Sequence, residues 1–476
     1  MTPAAIAANR FGIGMRGDAP PIGRPKAWLT EQLAAFEPRP APLTGLATRA
    51  DVAAALAQYA TIKRERKPML PADDQGKRGP GTVDQGPDIK QARQAVRDIY
   101  LACVGARVNA ALVTPAPFVE RMVHFWANHF AVSIDKPAVV GFAGLLEFDA
   151  IRPHVLGRFA DMLQAVERHP AMLLYLDQVQ SVGPDSEVAS RRAARGGKRT
   201  GLNENLAREI LELHTLGVRS GYSQSDVTEF ARVLTGWTVG GLTAERPDQR
   251  FARTDAPGEA VFREQQHQPG TSTILGRRYA QTGAAQSQAV LADLARHPAT
   301  ANHIAVKLAR QFAGDTPSPA LVTRLARVFM AGDGDLPQLY RALIEAPECW
   351  TETPAKFKSP WDWSLSALRA IDLKTVEPQA LAGMLIELGQ PVWKPGSPAG
   401  FDDLDAGWAA PDALVRRIEA GQRIAARAGA GIDARSLADG VLAGSLSAST
   451  RQTLAQADSG AQALALLFAA PEFMRR

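Results

Sequence analysis

The chain has 476 residues, enough to bury a large core and to build two or three structural units. Hydrophobic residues make up 46% and charged residues 22%, the make-up of an ordinary soluble globular protein. Fifty-four Lys and Arg against 49 Asp and Glu leave +5 and a pI near 9.2, a mild excess that admits an anionic partner but, with no long basic tail, gives no clear nucleic-acid signature.

The start, MTPAAIAANRFGIG, lacks a basic segment followed by a long apolar core. No Sec signal is therefore read and the cytoplasm is expected, with export or a periplasmic home left open. No apolar run reaches the roughly 18 residues of a membrane span. Residues 3–10 and 25–36 read as short helices split by a Gly-Pro-rich stretch, and 50–63 as an Ala-rich helix. Residues 63–90 carry many charges, prolines and glycines with little to bury, and read as a mobile loop. Helices resume at 91–113 and 117–130. The two cysteines, Cys103 and Cys349, lie far apart and outside any C-x-x-C; isolated thiols in apolar helices are expected over a disulfide.

The 117–130 helix is aromatic and apolar, yet Glu120, His124 and Asn128 fall at i, i+4 and i+8 on one stripe, with His129 about 100° away. Further helices are expected at 141–147, 155–168 and 170–177. Residues 181–200 then read as a flexible basic loop holding Arg191, Arg192, Arg195, Lys198 and Arg199. A basic loop feeding a helix N-terminus suits an anion, since free N–H groups and the helix dipole add to the arginines; the P-loop pattern is missing.

The next helix, about 203–216, gathers Leu206, Ile210, Leu211 and Leu213 on one side. Asn203, Glu204, Asn205, Arg208, Glu209 and Glu212 are the polar residues beside them. Glu204–Arg208–Glu212 is an i, i+4, i+8 ladder of alternating charge, which suits either a solvated face or a buried site. A second helix, capped by Ser223 or Ser225, runs to Gly236. Alternating patches and turn residues predict one minor β-hairpin near 249–279, with His267 in its turn region as a candidate ligand-binding residue.

From 286 helices dominate again, at 286–296, 299–313, 318–331, 335–346, 359–371, 377–388, 411–427, 433–443, 447–455 and 459–470. Residues 390–411 form a Trp- and Pro-rich loop in which Trp393 and Trp408 either stack on a ligand or pin the loop. The expected fold is thus all-α with a minor hairpin: an N-terminal helical body over 1–247, a hairpin insertion over 248–285 and a C-terminal helical portion over 286–476.

Several segments together resemble the bacterial family called domain of unknown function 1800. They are NRFGIG near the start, HFWANHF at 124–130, HPAMLLYLD at 169–177, and GLNENLAREILELHTLGV with GYSQSDVTEFARVLTGW over 201–237. Weaker matches follow at 267–276, at HPATANHIAVKLARQF (297–312) and at the terminal APEFMRR, while the 390–411 loop departs from the family's usual Gly-Trp pattern. The resemblance implies a helical fold without an established activity. It also implies frequent export signals and a sulfatase-like protein as a frequent neighbour, hence a candidate partner.

The patterns of serine hydrolases (G-x-S-x-G) and zincins (H-E-x-x-H) are absent, and Glu120 to His124 is i, i+4 rather than the i, i+3 of di-iron bundles. A divalent metal held between helices stays a candidate cofactor. The enzyme reading brings His124, His129, Glu204, Arg208, Glu209 and Glu212 to one pocket between the 117–130 and 203–216 helices, oriented by Asn128 and Asn203. Histidine beside carboxylates suits acid–base chemistry, and Arg208 suits an anionic substrate, as for a hydrolase or lyase. The rival reading is a non-enzymatic interaction or accessory protein whose polar stripes form a structural network.

Overall fold

The computed structural model describes residues 1–65, 87–196, 201–242, 256–354, 356–428 and 431–476. Proline at the first helical turn and short polar caps set most helix starts. Pro117, Pro298, Pro319, Pro360 and Pro378 open long helices, and Ser318, Ser359, Asp335 and Ser223 accept backbone N–H bonds as caps. The expected helices appear close to their expected bounds, among them Pro87–Val113, Pro117–His129, Phe159–Glu167, Gln224–Leu234, Pro298–Ala313 and Pro411–Ala428. The fold is mostly α.

The minor hairpin expected near 249–279 is present, with a second strand pair beside it, and two loop expectations need correction. The strands form two antiparallel pairs: Trp237–Val239 with Ala260–Phe262, and Ser272–Ile274 with Arg277–Tyr279. Only the second is a tight hairpin, turning through Leu275 and Gly276 at positive φ. The first borrows Trp-Thr-Val, an aromatic and β-branched run that follows the helix-ending Gly236; residues 243–255 lie outside the described residues. The basic stretch 181–200 is not all loop. Ser186 caps a helix over Glu187–Ala194, and the i, i+4 pair Glu187–Arg191 reinforces it. Of the expected 63–90 loop, the flanks belong to helices Arg49–Glu65 and Pro87–Val113, and 66–86 is outside the described residues.

Two apolar cores result. The larger joins the N-terminal segment with helices from Pro117–His129 through Leu336–Glu345. The smaller gathers Trp363, Ile424, Leu464, Phe468 and Phe473 around the last helices, with Ala8 and Met15 reaching in. Buried arginines join the segments between them by donating to backbone carbonyls. Arg10 reaches Cys349 O and Thr353 O, Arg121 reaches Gly12 O, and Arg369 reaches Gly14, Ala111 and Leu112 O. A guanidinium with five fixed donors can satisfy several chain crossings that no secondary structure satisfies. Cys103 and Cys349 are both buried free thiols, each pushed up to about 12 by burial. No helix of the described residues is long and apolar enough to cross a membrane.

Candidate functional site

Helix Pro117–His129 is the organising element: on both sides of its apolar core face it carries buried charge. Glu120, fully buried, accepts two hydrogen bonds from Arg152, at 2.6 and 3.1 Å. One turn on, His124 Nε2 stands 3.6 Å from Glu120 Oε1, while His124 Nδ1 accepts from Trp361 Nε1–H at 3.1 Å. That bond puts the imidazole proton on Nε2. Burial, then the charges of Arg107, Arg152 and Arg121, holds the His124 pKa well below its ordinary value, so the ring is neutral at pH 7. Trp361 is gripped in turn by Arg107, whose guanidinium lies 4.2 Å from the ring centre and pairs with buried Glu147. Trp393 donates to the same Glu147 at 3.2 Å, which pins the 390–411 loop.

Two adjoining clefts, of about 80 and 60 Å³, share His124, Asn128, Trp361, Gln390 and Phe401. The larger is closed by Lys307, Lys356, Asp402, Asp403, Trp408 and Arg476. Asn128 fixes its rim: the side-chain amide donates to Phe401 O at 3.0 Å and accepts from Phe401 N at 2.7 Å. Gly400 makes this approach feasible, with φ +86 and a Cβ that would lie 2.3 Å from Asn128 O. The floor gathers cations around one carboxylate, while Asp402 and Asp403 line the same cleft. Arg121 Nη1 and Arg476 Nε both reach the single carboxylate of Asp362, at 2.8 and 3.2 Å. Fully buried Lys358 lies just below, donating to Asn9 Oδ1 at 3.3 Å. Burial lowers Lys358 to about 7, with Arg121, Arg476 and Arg417 pulling it down against Asp362. Burial and then Arg121 lower Arg476 to about 9.

His129 turns away from this cleft. Its Nε2–H donates to His214 O at 3.1 Å, and His303 Nε2–H donates to Leu213 O at 3.0 Å. The 203–216 helix starts at Asn205–Glu209 and widens into a π-type turn over Ile210–His214, so its terminal carbonyls need outside donors. The two histidines supply them. His214 Nδ1 lies 2.8 Å from Glu167 Oε1, both side chains fully buried, but at an angle too poor for a hydrogen bond. Among the described residues, no group of three or more His, Cys, Asp or Glu is disposed to hold a metal ion, so the divalent-metal reading gains no donor set.

The other sequence candidates are dispersed. Glu204, Arg208 and Glu212 form the expected ladder at 3.2 and 3.5 Å, half-exposed, and Gln224 and Thr228 bind Glu204 from the next helix. Glu209 is partly buried beside His214, and burial raises its pKa. Asn203 caps locally, donating to Asp177 O and accepting from Asn205 N, whose own side chain is exposed. His267 is buried with Nδ1 on Thr235 O at 2.9 Å. Arg191 pairs with Glu187, Arg195 is exposed at that helix's end, and Arg199 lies outside the described residues. Of the six residues expected to meet in one pocket, only His124 lines the clefts, with Asn128 beside it. The charged stripe of 203–216 looks outward because Leu206, Ile210 and Leu211 take the core side. Neutralising the ladder by Arg208→Ala is expected to change Tm by no more than about 1–2 °C, since exposed pairs contribute roughly 0.2–1 kcal/mol; a fall beyond 5 °C in a thermal melt would show the ladder to be a buried network.

Sequence reasoning missed Arg121, Lys307, Lys356, Trp361, Asp362 and Arg476. One signal was available: KFKSPWD, 356–362, places two lysines, three aromatic or capping residues and an aspartate directly at a helix start.

The family model described as protein of unknown function (DUF1800) matches residues 6–475, nearly the whole chain. No curated protein and no solved structure matches it.

Proposed function

The chain belongs to the DUF1800 family, a membership that brings no activity with it, and from the cleft geometry we propose that the protein recognises a small anionic ligand beside His124. The observation that carries this reading is the imbalance at the cleft floor: Arg121, Arg476 and Lys358 crowd one carboxylate, Asp362. Cations that depress each other's pKa in a buried site are stabilised by an incoming anion. The space of about 80 Å³ suits a carboxylate or phosphate group, with Lys307 as the wall cation least committed, since Lys356 already pairs with Asp315 and Asp405, and with Phe357, Trp361, Phe401 and Trp408 as apolar surface.

An enzymatic reading, a hydrolase or lyase, rests on His124: Nε2 lacks a hydrogen-bond partner and faces Glu120 at 3.6 Å. The alternative, an interaction protein working beside a sulfatase-like partner, needs no anion at the cleft.

Calorimetric titration with phosphate and with malonate separates them. Saturable binding of either is expected. Lys307→Gln should weaken it about tenfold with an unchanged melt, because Lys307 is only loosely paired with Asp403, at 3.8 Å. Asp403→Asn should strengthen it by freeing Lys307. Absence of binding by both anions defeats the proposal.

A further inference from the structure

Sharing no lining residue with the cleft at His124, a groove of about 680 Å³ opens between helices Pro360–Ala370, Pro378–Glu387 and Pro411–Ala428. Its walls are apolar: Leu368, Ile371, Leu373, Leu381, Met384 and Ile424 line it. That size falls among small-molecule sites, which typically span roughly 300–1,000 Å³ and are mainly hydrophobic with a few placed polar groups.

Three observations say what fits. Gly383 sits mid-helix on the groove wall, and a Cβ built there would meet nothing within 4 Å. Its φ is not positive, so neither backbone strain nor packing calls for glycine; the missing side chain leaves the groove wider at a cost to the helix. The rim charges are mostly committed. Glu377 caps its helix through Gln379 and Ala380 N–H, and Glu387 pairs with Arg423 at 2.5 Å. Arg427 is left at the rim, exposed and without an ion pair among the described residues.

We propose that this groove binds a long-chain carboxylate, a fatty acid, with its hydrocarbon tail along the apolar walls past Gly383 and its carboxylate on Arg427. An apolar trough with one uncommitted cation at its edge is complementary to an amphiphile with one negative head. Nothing in this assignment depends on the His124 cleft.

The test titrates the full chain with a fluorescent anthroyloxy-stearate and displaces it with unlabelled fatty acids. Saturable binding displaced by oleate is expected, weakening roughly tenfold for every two methylenes removed from the competitor. Gly383→Phe fills the groove without meeting protein atoms at its Cβ, so it should weaken binding at least tenfold while the melt stays at or above the wild-type value. Arg427→Glu should weaken stearate about tenfold and leave stearyl alcohol unchanged. The assignment fails if no saturable binding occurs or if Gly383→Phe binds as the wild type does. It also fails if Gly383→Phe instead abolishes self-association in sedimentation, which would make a second copy of the chain the occupant.

Discussion

Replacing Glu120 by Ala is expected to destabilise the protein by about 3–5 kcal/mol, seen as a Tm lower by roughly 5–15 °C. The pair it breaks is sealed: Glu120 and Arg152 are 0% and 1% exposed and joined by two hydrogen bonds. Burial alone would lower Arg152, yet the charge and hydrogen bonds of Glu120 outweigh it and leave the guanidinium above its ordinary value. Without Glu120 that buried charge keeps only the more distant attraction of Glu147 and Glu37 and loses both of its carboxylate hydrogen bonds. The double variant Glu120→Leu with Arg152→Met should recover most of the loss, since replacing both members of a buried pair by apolar groups is often neutral. A single variant that unfolds like the wild type in urea would mean the pair is not a structural bond of this helix.

The same helix shows how far sequence reasoning carries. Its start, its apolar face and the odd His–Asn–Glu stripe are all legible, because 3.6-residue periodicity and Pro at the first turn are local properties. The function of each polar residue is not, because it depends on distant partners. Glu120 answers Arg152, His124 answers Trp361, and Asn128 answers a loop 273 residues away at Phe401. The 203–216 stretch failed differently. Its charge ladder was readable, but the polar residue that faces inward is His214, in the π-type turn at that helix end. A regular wheel already carries His214 on the stripe of Leu206 and Ile210, at i+8 and i+4; what it does not show is Leu213 turning half out while His214 and Thr215 go in. The cationic floor was harder still, since only Lys358 and Asp362 share a segment, while Arg121 and Arg476 come to them from distant parts of the chain.

Stability should fall steeply as pH drops from 7.5 to 5.5. Three buried histidines, His124, His129 and His169, and the part-buried His303 have pKa values held below the ordinary value by desolvation first of all, and His303 reaches about 4. Each meets positive neighbours as well: Arg107, Arg152 and Arg121 face His124, Lys307 faces His129 and His303, and Arg49 faces His169. The sign follows from which state takes up protons. Above 6.5 both states are neutral at these rings and stability is full. Below it the unfolded chain binds a proton at each ring and the folded chain does not, so stability is lost until the folded pKa is reached, near 4 for His303. One such ring contributes about 1.4 kcal/mol per pH unit, so four together approach roughly 5 kcal/mol by pH 5.5. That rivals the whole net stability of many domains, about 5–15 kcal/mol. Depressed carboxylates such as Asp362 act in a lower range, below its ordinary 3.8; Lys358, lowered to about 7 by burial, adds a loss of the same sign at the top of the window, and Glu147, raised by burial, opposes it as pH falls. His169 provides the control. Its Nδ1 accepts from Ala171 N–H at 3.2 Å as a helix cap, a role asparagine fills well, so His169→Asn should keep the pH 7.5 stability and remove about one proton from the slope. Urea unfolding at half-unit pH steps reads both quantities, and a flat profile between pH 7.5 and 5.5 would mean these rings are charged inside the folded protein.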